Sequence, residues 1–196
     1  MLARLNVELT DFGVVRDDPG KLEIAFARSA AAADAVVTTG GVSVGEADFT
    51  KELMAKVGEV LFWKIAMRPG RPMAFGRIGN AWLFGLPGNP VAVMVTFYQF
   101  VRDALLHLSG RTDDYAIPLL RATAADHIRK VPGRTEYQRG VLFKDGTEWK
   151  VRTTGQQGSG VLRSMAEANC FIVLEHERGA VKAGEQVQVQ LMEGVA

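Results

Sequence analysis

An α/β domain followed by a small all-β domain is the fold class that this 196-residue sequence predicts, on three observations. Strand-length apolar runs alternate with helical patterns through residue 108. A polar stretch follows at residues 111–115. Beyond it, each apolar run reads as a strand, with glycine-rich turns between runs. The alternation predicts a three-layer α/β domain with a mostly parallel sheet over residues 1–112. The change of pattern predicts a barrel or sandwich over residues 113–196.

Taken in order, Met1, Leu2 and Leu5 sit at helical spacing, as at the end of a helix that Asn6 stops in a left-handed conformation. Residues 8–15 read as a strand. Asp18 ahead of Pro19 makes an N-cap with proline at the first helical position, opening a helix over 22–33. Asp18 therefore has a structural role that Asp17 lacks. Residues 35–39 read as a buried strand running into Thr39, Gly40, Gly41, Ser43 and Gly45. Paired glycines there let the backbone turn sharply and let a ligand approach without a Cβ in the way. A helix over 49–57 ends at Gly58, and a strand is expected over 60–67. Arg68-Pro69-Gly70-Arg71-Pro72 interrupts it with two cations between prolines. Strands over 73–77 and 82–86 flank the hairpin turn Gly79-Asn80. Asn89 and Pro90 then open a long apolar helix over 91–108, which Gly110 ends. In the second domain, strands are expected over 117–128, 136–143, 149–154, 170–175 and 186–191. The last alternates strictly, as a half-buried strand does.

Composition narrows the function classes. Hydrophobic residues make up 47% of the chain, enough for a proper core, and the formal net charge is +1 with no long basic run. That argues against a nucleic-acid binder driven by phosphate neutralisation. The single cysteine, Cys170, allows no internal disulfide and no Cys-rich zinc site. It lies in an apolar run and reads as a core thiol. His107, His127 and His176 have no ligand-like spacing. No apolar segment is expected to be long enough to span a membrane, and the N-terminus has no signal-peptide pattern. A cytoplasmic location fits best.

Three strand-end loops share a character, residues 39–45, 67–72 and 85–90. Each is rich in glycine or proline. One carries Arg68 and Arg71, with Lys64 four residues upstream; another ends in Pro87, Gly88, Asn89 and Pro90 at a helix N-terminus, where the backbone dipole adds positive charge. Lys64 and Arg68 would point to one face of a continuous strand. Together the loops suggest a pocket for a phosphorylated or oxyanionic ligand, with Asp17 and Asp48 at its edge as carboxylates that could hold Mg²⁺ between protein and phosphates. Each residue has a plainer alternative. Asp48 could cap a helix starting at Phe49, Asp17 could be a turn residue, and Lys64 could be a solvated outward position. The convergence of the loops carries the argument.

These motifs also carry a resemblance. Residues 39–48, Phe62-Trp63-Lys64, residues 68–72 and Gly85-Leu86-Pro87-Gly88-Asn89-Pro90 resemble the molybdopterin molybdenumtransferases, the MoeA family, which is related to the E domain of gephyrin. Pro132-Gly133-Arg134, Gln138-Arg139-Gly140 and residues 169–174 resemble the last domain of that family. The resemblance implies a MogA-like molybdopterin-binding domain followed by the C-terminal β domain. The implied reaction inserts molybdate into adenylylated molybdopterin and releases AMP, assisted by Mg²⁺ or another divalent cation. It places Asp17, Asp48, Lys64 and Arg68 in the active site, Asp17 and Asp48 toward the metal, and Pro87 and Pro90 in the loop beside them. It also implies a homodimer, with small-molecule substrates and other molybdenum cofactor biosynthesis proteins as partners, and neither nucleic acid nor membrane.

Three departures stand out. Arg68 and Arg71 occupy positions where lysine is usual, exchanging a point charge for a planar fork. Ala92 stands where many members have serine. Met1 falls inside the helix after an opening strand, so the chain reads as a C-terminal fragment. Two other functions compete: a molybdopterin adenylyltransferase-like, nucleotide-processing enzyme on a related fold, and a non-enzymatic scaffold.

Overall fold

A computed structural model describes residues 1–41, 48–113, 115–158 and 160–192, without the side chains at 48–51, 54, 62 and 63. The chain divides into two compact units, residues 1–65 with 70–111, and residues 66–69 with 112–196.

The first unit opens with a 3-10 turn, Leu2–Leu5, that Asn6 ends in the left-handed conformation at φ 53°. Residues 7–17 form no strand, which corrects the expectation over 8–15. A strand exists through its ladder, and among the described residues no strand pairs with this segment. Leu9, Phe12 and Val14 are exposed there. Asp18 then caps helix α1 (Pro19–Ala32), its Oδ1 accepting from the Lys21 N–H at 2.9 Å. Strand β1 (Ala35–Thr39) and helix α2 (Asp48–Val57) follow. Strand β2 (Glu59–Lys64) stops short of the expected 67, and a separate two-residue strand, β3 (Met67–Arg68), belongs to the second unit. Strands β4 (Pro72–Ile78) and β5 (Ala81–Leu86) form a hairpin about Gly79, which takes φ 58°.

The sheet order is β1-β5-β4-β2. Only β1–β5 is parallel; β5–β4 and β4–β2 are antiparallel. The expected mostly parallel sheet is therefore corrected. A parallel pair needs a long crossover, whereas short connections such as Gly79-Asn80 join antiparallel neighbours. Alternation along the strands sends Val36, Ala74, Ile78, Ala81 and Leu83 to one face, where they form a core with Phe26 of α1 and Leu53 of α2. On the other face Phe75 stacks on Trp82, with centroids 5.4 Å apart, and Arg77 lies 4.8 Å above the Trp82 ring.

Asn89 caps the closing helix through its Oδ1 and the Val91 N–H, 3.1 Å apart, with Pro90 in the first turn. The helix runs as α3 (Pro90–Thr96), a π-helical turn (Phe97–Val101) and α4 (Arg102–Leu108). Its 19 residues, with a mean hydropathy of 1.3, are long and apolar enough to cross a membrane by length and composition alone, which corrects the expectation of no such segment. Val91, Val95, Phe97, Val101 and Leu105 are nevertheless buried within the protein, as in a core helix.

The second unit is a barrel. Strands β6 (Leu119–Ala124), β7 (Thr135–Asp145), β8 (Glu148–Thr153), β9 (Cys170–Leu174) and β10 (Gln186–Leu191) pair in the order β7-β8-β6-β10-β9, and β9 returns to β7. Val187 and Val189 of the alternating last strand point inward with Ile172, Leu174, Val151 and Cys170. β3 adds to β7 in parallel, pairing Met67 with Thr135 and Arg68 with Glu136. A short helix, α5 (Arg163–Glu167), was not anticipated from the sequence.

Gly58, Gly76 and Gly140 sit where backbone or core leaves no space. A Cβ on Gly140 would lie 2.8 Å from Ile172 Cγ1 and 3.0 Å from Val151 Cγ2 inside the barrel. One on Gly76 would run into the Glu59 carbonyl oxygen and approach Val60 Cα at 2.6 Å. Gly140→Ala should lower stability by about 1–3 kcal/mol, the usual cost of overpacking. Gly76→Ala should cost more, because it meets main chain rather than movable side chains. Equilibrium urea unfolding of both variants checks the order. The Cys170 thiol is fully buried and its pKa is pushed up to about 12, chiefly by desolvation. It should react with aromatic disulfide reagents only after denaturation, since the thiolate is the nucleophile. A fast reaction in the native protein would contradict this.

Candidate functional site

Within the first unit, topology collects several loops at one end of the sheet. β1 and β5 run parallel, and β2 lies antiparallel to β4, which is antiparallel to β5. The carboxyl ends of β1, β5 and β2 therefore coincide. In open α/β sheets that end is where ligands bind. Thr39 and Gly40 leave β1 there, Leu86 to Pro90 leave β5, and Lys64 ends β2 opposite Pro72. The first two loops touch. The Gly40 N–H donates to the Leu86 carbonyl at 3.1 Å, and a Cβ on Gly88 would stand 3.5 Å from Gly40 Cα. Gly40 and Gly41 take φ of 88° and 71°, a conformation that side chains rarely adopt. Pro87 is buried, while Gly88 and Pro90 are exposed and Asn89 is occupied as the cap. Neighbouring Thr38, which sequence reasoning passed over, has a buried Oγ1 with no hydrogen-bond partner, an unsatisfied group at the root of the glycine loop.

Two cations stand at the same end. The Ile65 N–H donates to the Arg71 carbonyl at 2.8 Å, closing a stem one residue beyond Lys64. Lys64 and Arg71 are exposed, and their side chains make no hydrogen bond or ion pair among the described residues. Asp17 is exposed, two residues ahead of the first residue of α1. Asp48 is the first residue of α2, one earlier than expected. Its side chain, with Ser43 and Gly45, lies outside the described residues. No group of three His, Cys, Asp or Glu capable of holding a metal occurs among the described residues. Asp17 contributes one exposed carboxylate among the described residues.

Arg68 belongs to the second unit. The strand ends at Lys64, so the shared-face argument for Lys64 and Arg68 fails. Arg68 pairs with β7 in the second unit, its guanidinium 3.7 Å from the Glu136 carboxylate. The second unit also holds a cation that the sequence reading did not assign. Arg139 is 1% exposed. Its Nε donates to Ser164 Oγ at 3.0 Å and its Nη2 to the Gly158 carbonyl at 2.9 Å. The Gln157 side chain clamps its backbone, accepting from the Arg139 N–H at 2.7 Å and donating to its carbonyl at 3.1 Å. Desolvation, then repulsion from Arg68, pushes its pKa down to about 10. No local signal marked Arg139, because β7 also carries Glu136, Gln138, Lys144 and Asp145.

Comparison with known proteins fits this architecture. Residues 1–107 match the model of the probable molybdopterin binding domain, and residues 121–192 match that of the MoeA C-terminal region, domain IV. A molybdopterin molybdenumtransferase of Haemophilus influenzae is 46% identical over 191 residues, which are 97% of this chain and 47% of the relative. Gephyrin of Dictyostelium discoideum is 31% identical over 213 residues, 97% of this chain and 29% of that protein. A solved molybdenum cofactor biosynthesis protein from Pyrococcus furiosus superposes with a TM-score of 0.76 at 28% identity, over 97% of this chain and 61% of its own. The chain spans about half the length of the molybdenumtransferase it matches. It belongs to the molybdopterin-binding domain family, in the arrangement that joins this domain to the MoeA C-terminal region.

Proposed function

We propose that this chain provides the molybdopterin-binding and C-terminal part of a molybdopterin molybdenumtransferase. In this reading, molybdate is inserted into adenylylated molybdopterin, AMP is released, and the product is molybdenum cofactor. The observation that carries it is the sheet end of the first unit. Two touching glycine and proline loops and two exposed cations, Lys64 and Arg71, converge there. Exposed cations beside backbone N–H groups suit a phosphorylated substrate. Thr39, Gly40, Gly41, Ser43, Gly45, Pro87, Gly88, Asn89 and Pro90 would line the ligand, with Gly40 and Gly88 letting it approach the main chain. Arg68, a residue of the second unit, would bind an oxyanion there. Asp17 and Asp48 would share Mg²⁺ with the substrate's phosphates, since Mg²⁺ commonly takes one or two carboxylates plus phosphate oxygens. A homodimer in the cytoplasm, working with other molybdenum cofactor biosynthesis proteins, completes the reading. The relatives' names favour transfer of molybdenum over adenylylation.

Removing one cation from a phosphate site should cost about 1–3 kcal/mol, the range for hydrogen bonds to charged groups, or about tenfold to hundredfold in affinity. Lys64→Ala and Arg71→Ala, placed in a full-length relative, should each weaken binding of adenylylated molybdopterin by that factor in calorimetric titration. Parent-like binding and cofactor synthesis in both variants would place the site elsewhere. Asp48→Asn should spare substrate binding and slow turnover, because it removes charge and keeps shape. The reverse pattern would assign Asp48 to binding alone.

A further inference from the structure

The second unit contains a charged cluster that the catalytic reading leaves without a role. Glu136 is 3% exposed, buried at the junction of β3 and β7. Its Oε1 faces two guanidinium groups, Arg68 Nη1 at 3.7 Å and Arg134 Nε at 3.5 Å. Its Oε2 accepts from Gln138 Nε2 at 2.9 Å, and the same amide donates to the Arg129 carbonyl at 2.8 Å. Both arginines are about half exposed, with 49% and 43% of their side chains accessible. The carboxylate thus lies behind, and the two forks reach solvent in front.

The surroundings hold this arrangement still. The turn before β7 carries Arg134 beside Gly133, which takes φ 102°. That turn is tied down by the Gly133 N–H to the His176 carbonyl at 2.9 Å. The buried Lys130 ammonium adds three bonds, to the carbonyls of Val131, His176 and Arg178. Arg68 is fixed from its own side by pairing with Glu136 in the ladder. One buried negative charge between two cations leaves the pair with a positive excess. Two planar guanidinium groups held side by side match a tetrahedral oxyanion, since each presents paired N–H donors.

We propose that Arg68 and Arg134 form a two-guanidinium clamp for one tetrahedral oxyanion, and that Glu136 is the positioning residue that keeps the two cations together. The proposal rests on the reading of Arg68 as an oxyanion contact and adds Arg134 and Glu136 to it. The carboxylate does two opposing things. It repels an incoming anion, and it prevents two like charges from splaying apart. Because it is buried behind the forks and satisfied by Gln138, the second effect outweighs the first.

The sign of the Glu136→Gln effect decides the matter. Calorimetric titration of the 196-residue chain with molybdate, inorganic phosphate and AMP is compared for the parent, Arg68→Ala, Arg134→Ala, Glu136→Gln and Glu136→Asp. Thermal unfolding checks that each variant folds. Both arginine variants should weaken oxyanion binding about tenfold to hundredfold. Glu136→Gln should weaken it about tenfold, with partial rescue in Glu136→Asp and no further loss in an Arg134→Ala background. A merely structural carboxylate would not show that last dependence. Tighter binding of molybdate or phosphate than of AMP marks a site for the free oxyanion, and the reverse marks the phosphate of a nucleotide; both support the clamp. A folded Glu136→Gln chain that binds as tightly as the parent, or more tightly, overturns the role of Glu136. If Glu136→Gln does not fold, Arg134→Ala decides, and parent-like affinity there overturns the clamp. Parent-like affinity in Arg68→Ala, or no binding of any ligand by the parent, overturns the reading beneath it as well.

Discussion

One backbone hydrogen bond, from the Ile65 N–H to the Arg71 carbonyl, organises the chemistry of this chain. It closes a stem from which the polypeptide leaves the first unit, gives two residues to a strand of the second, and returns. The stem decides the fate of each cation in the Lys64 to Arg71 segment. Lys64 and Arg71 flank it and stay with the first unit's sheet. Arg68 is carried into the ladder of β7 and is neutralised in part by Glu136. A continuous strand through residue 67 would have kept Lys64 and Arg68 on one unit and left β7 without its parallel neighbour.

The two units treat their cations differently. In the first, Lys64 and Arg71 are exposed and unengaged among the described residues, beside glycines that expose main chain. Such groups lose side-chain entropy when they close on a ligand, and they can follow it as it moves. In the second, Arg68, Arg134 and Arg139 are held by Glu136, Ser164 and neighbouring carbonyls before any ligand arrives. The rigidity of that group comes from the barrel, whose β7 closes on β9 and so has its backbone paired along most of its length.

Much of this was legible in the sequence wherever the determinants were local. Asp18-Pro19 and Asn89-Pro90 cap the helices they were expected to cap, because an N-cap is decided within four residues. Gly79-Asn80 makes the hairpin, and the alternation of residues 186–191 returns as Val187 and Val189 in the barrel core. The failures were long-range. Strand direction depends on which strands meet, so a helix between two strands suggested a parallel sheet that two short connections then made mostly antiparallel. Residues 8–15 have strand composition, yet no strand forms where no ladder receives it. Arg139 looked unremarkable because its burial depends on Ser164 and Gly158, some twenty residues away and folded over it.

The excursion at residues 66–69 also bears on how such a chain could be divided or exchanged. The polypeptide passes between its units three times, at 65/66, 69/70 and 111/112. A polypeptide ending near residue 112 would carry Met67 and Arg68 with no ladder to join. One beginning there would build the barrel without the strand that pairs with Thr135 and Glu136. A nick at 111/112 would leave residues 66–69 of one piece paired in the sheet of the other. The two units are stitched rather than strung, and inheritance or grafting of one without the other would have to mend a torn strand.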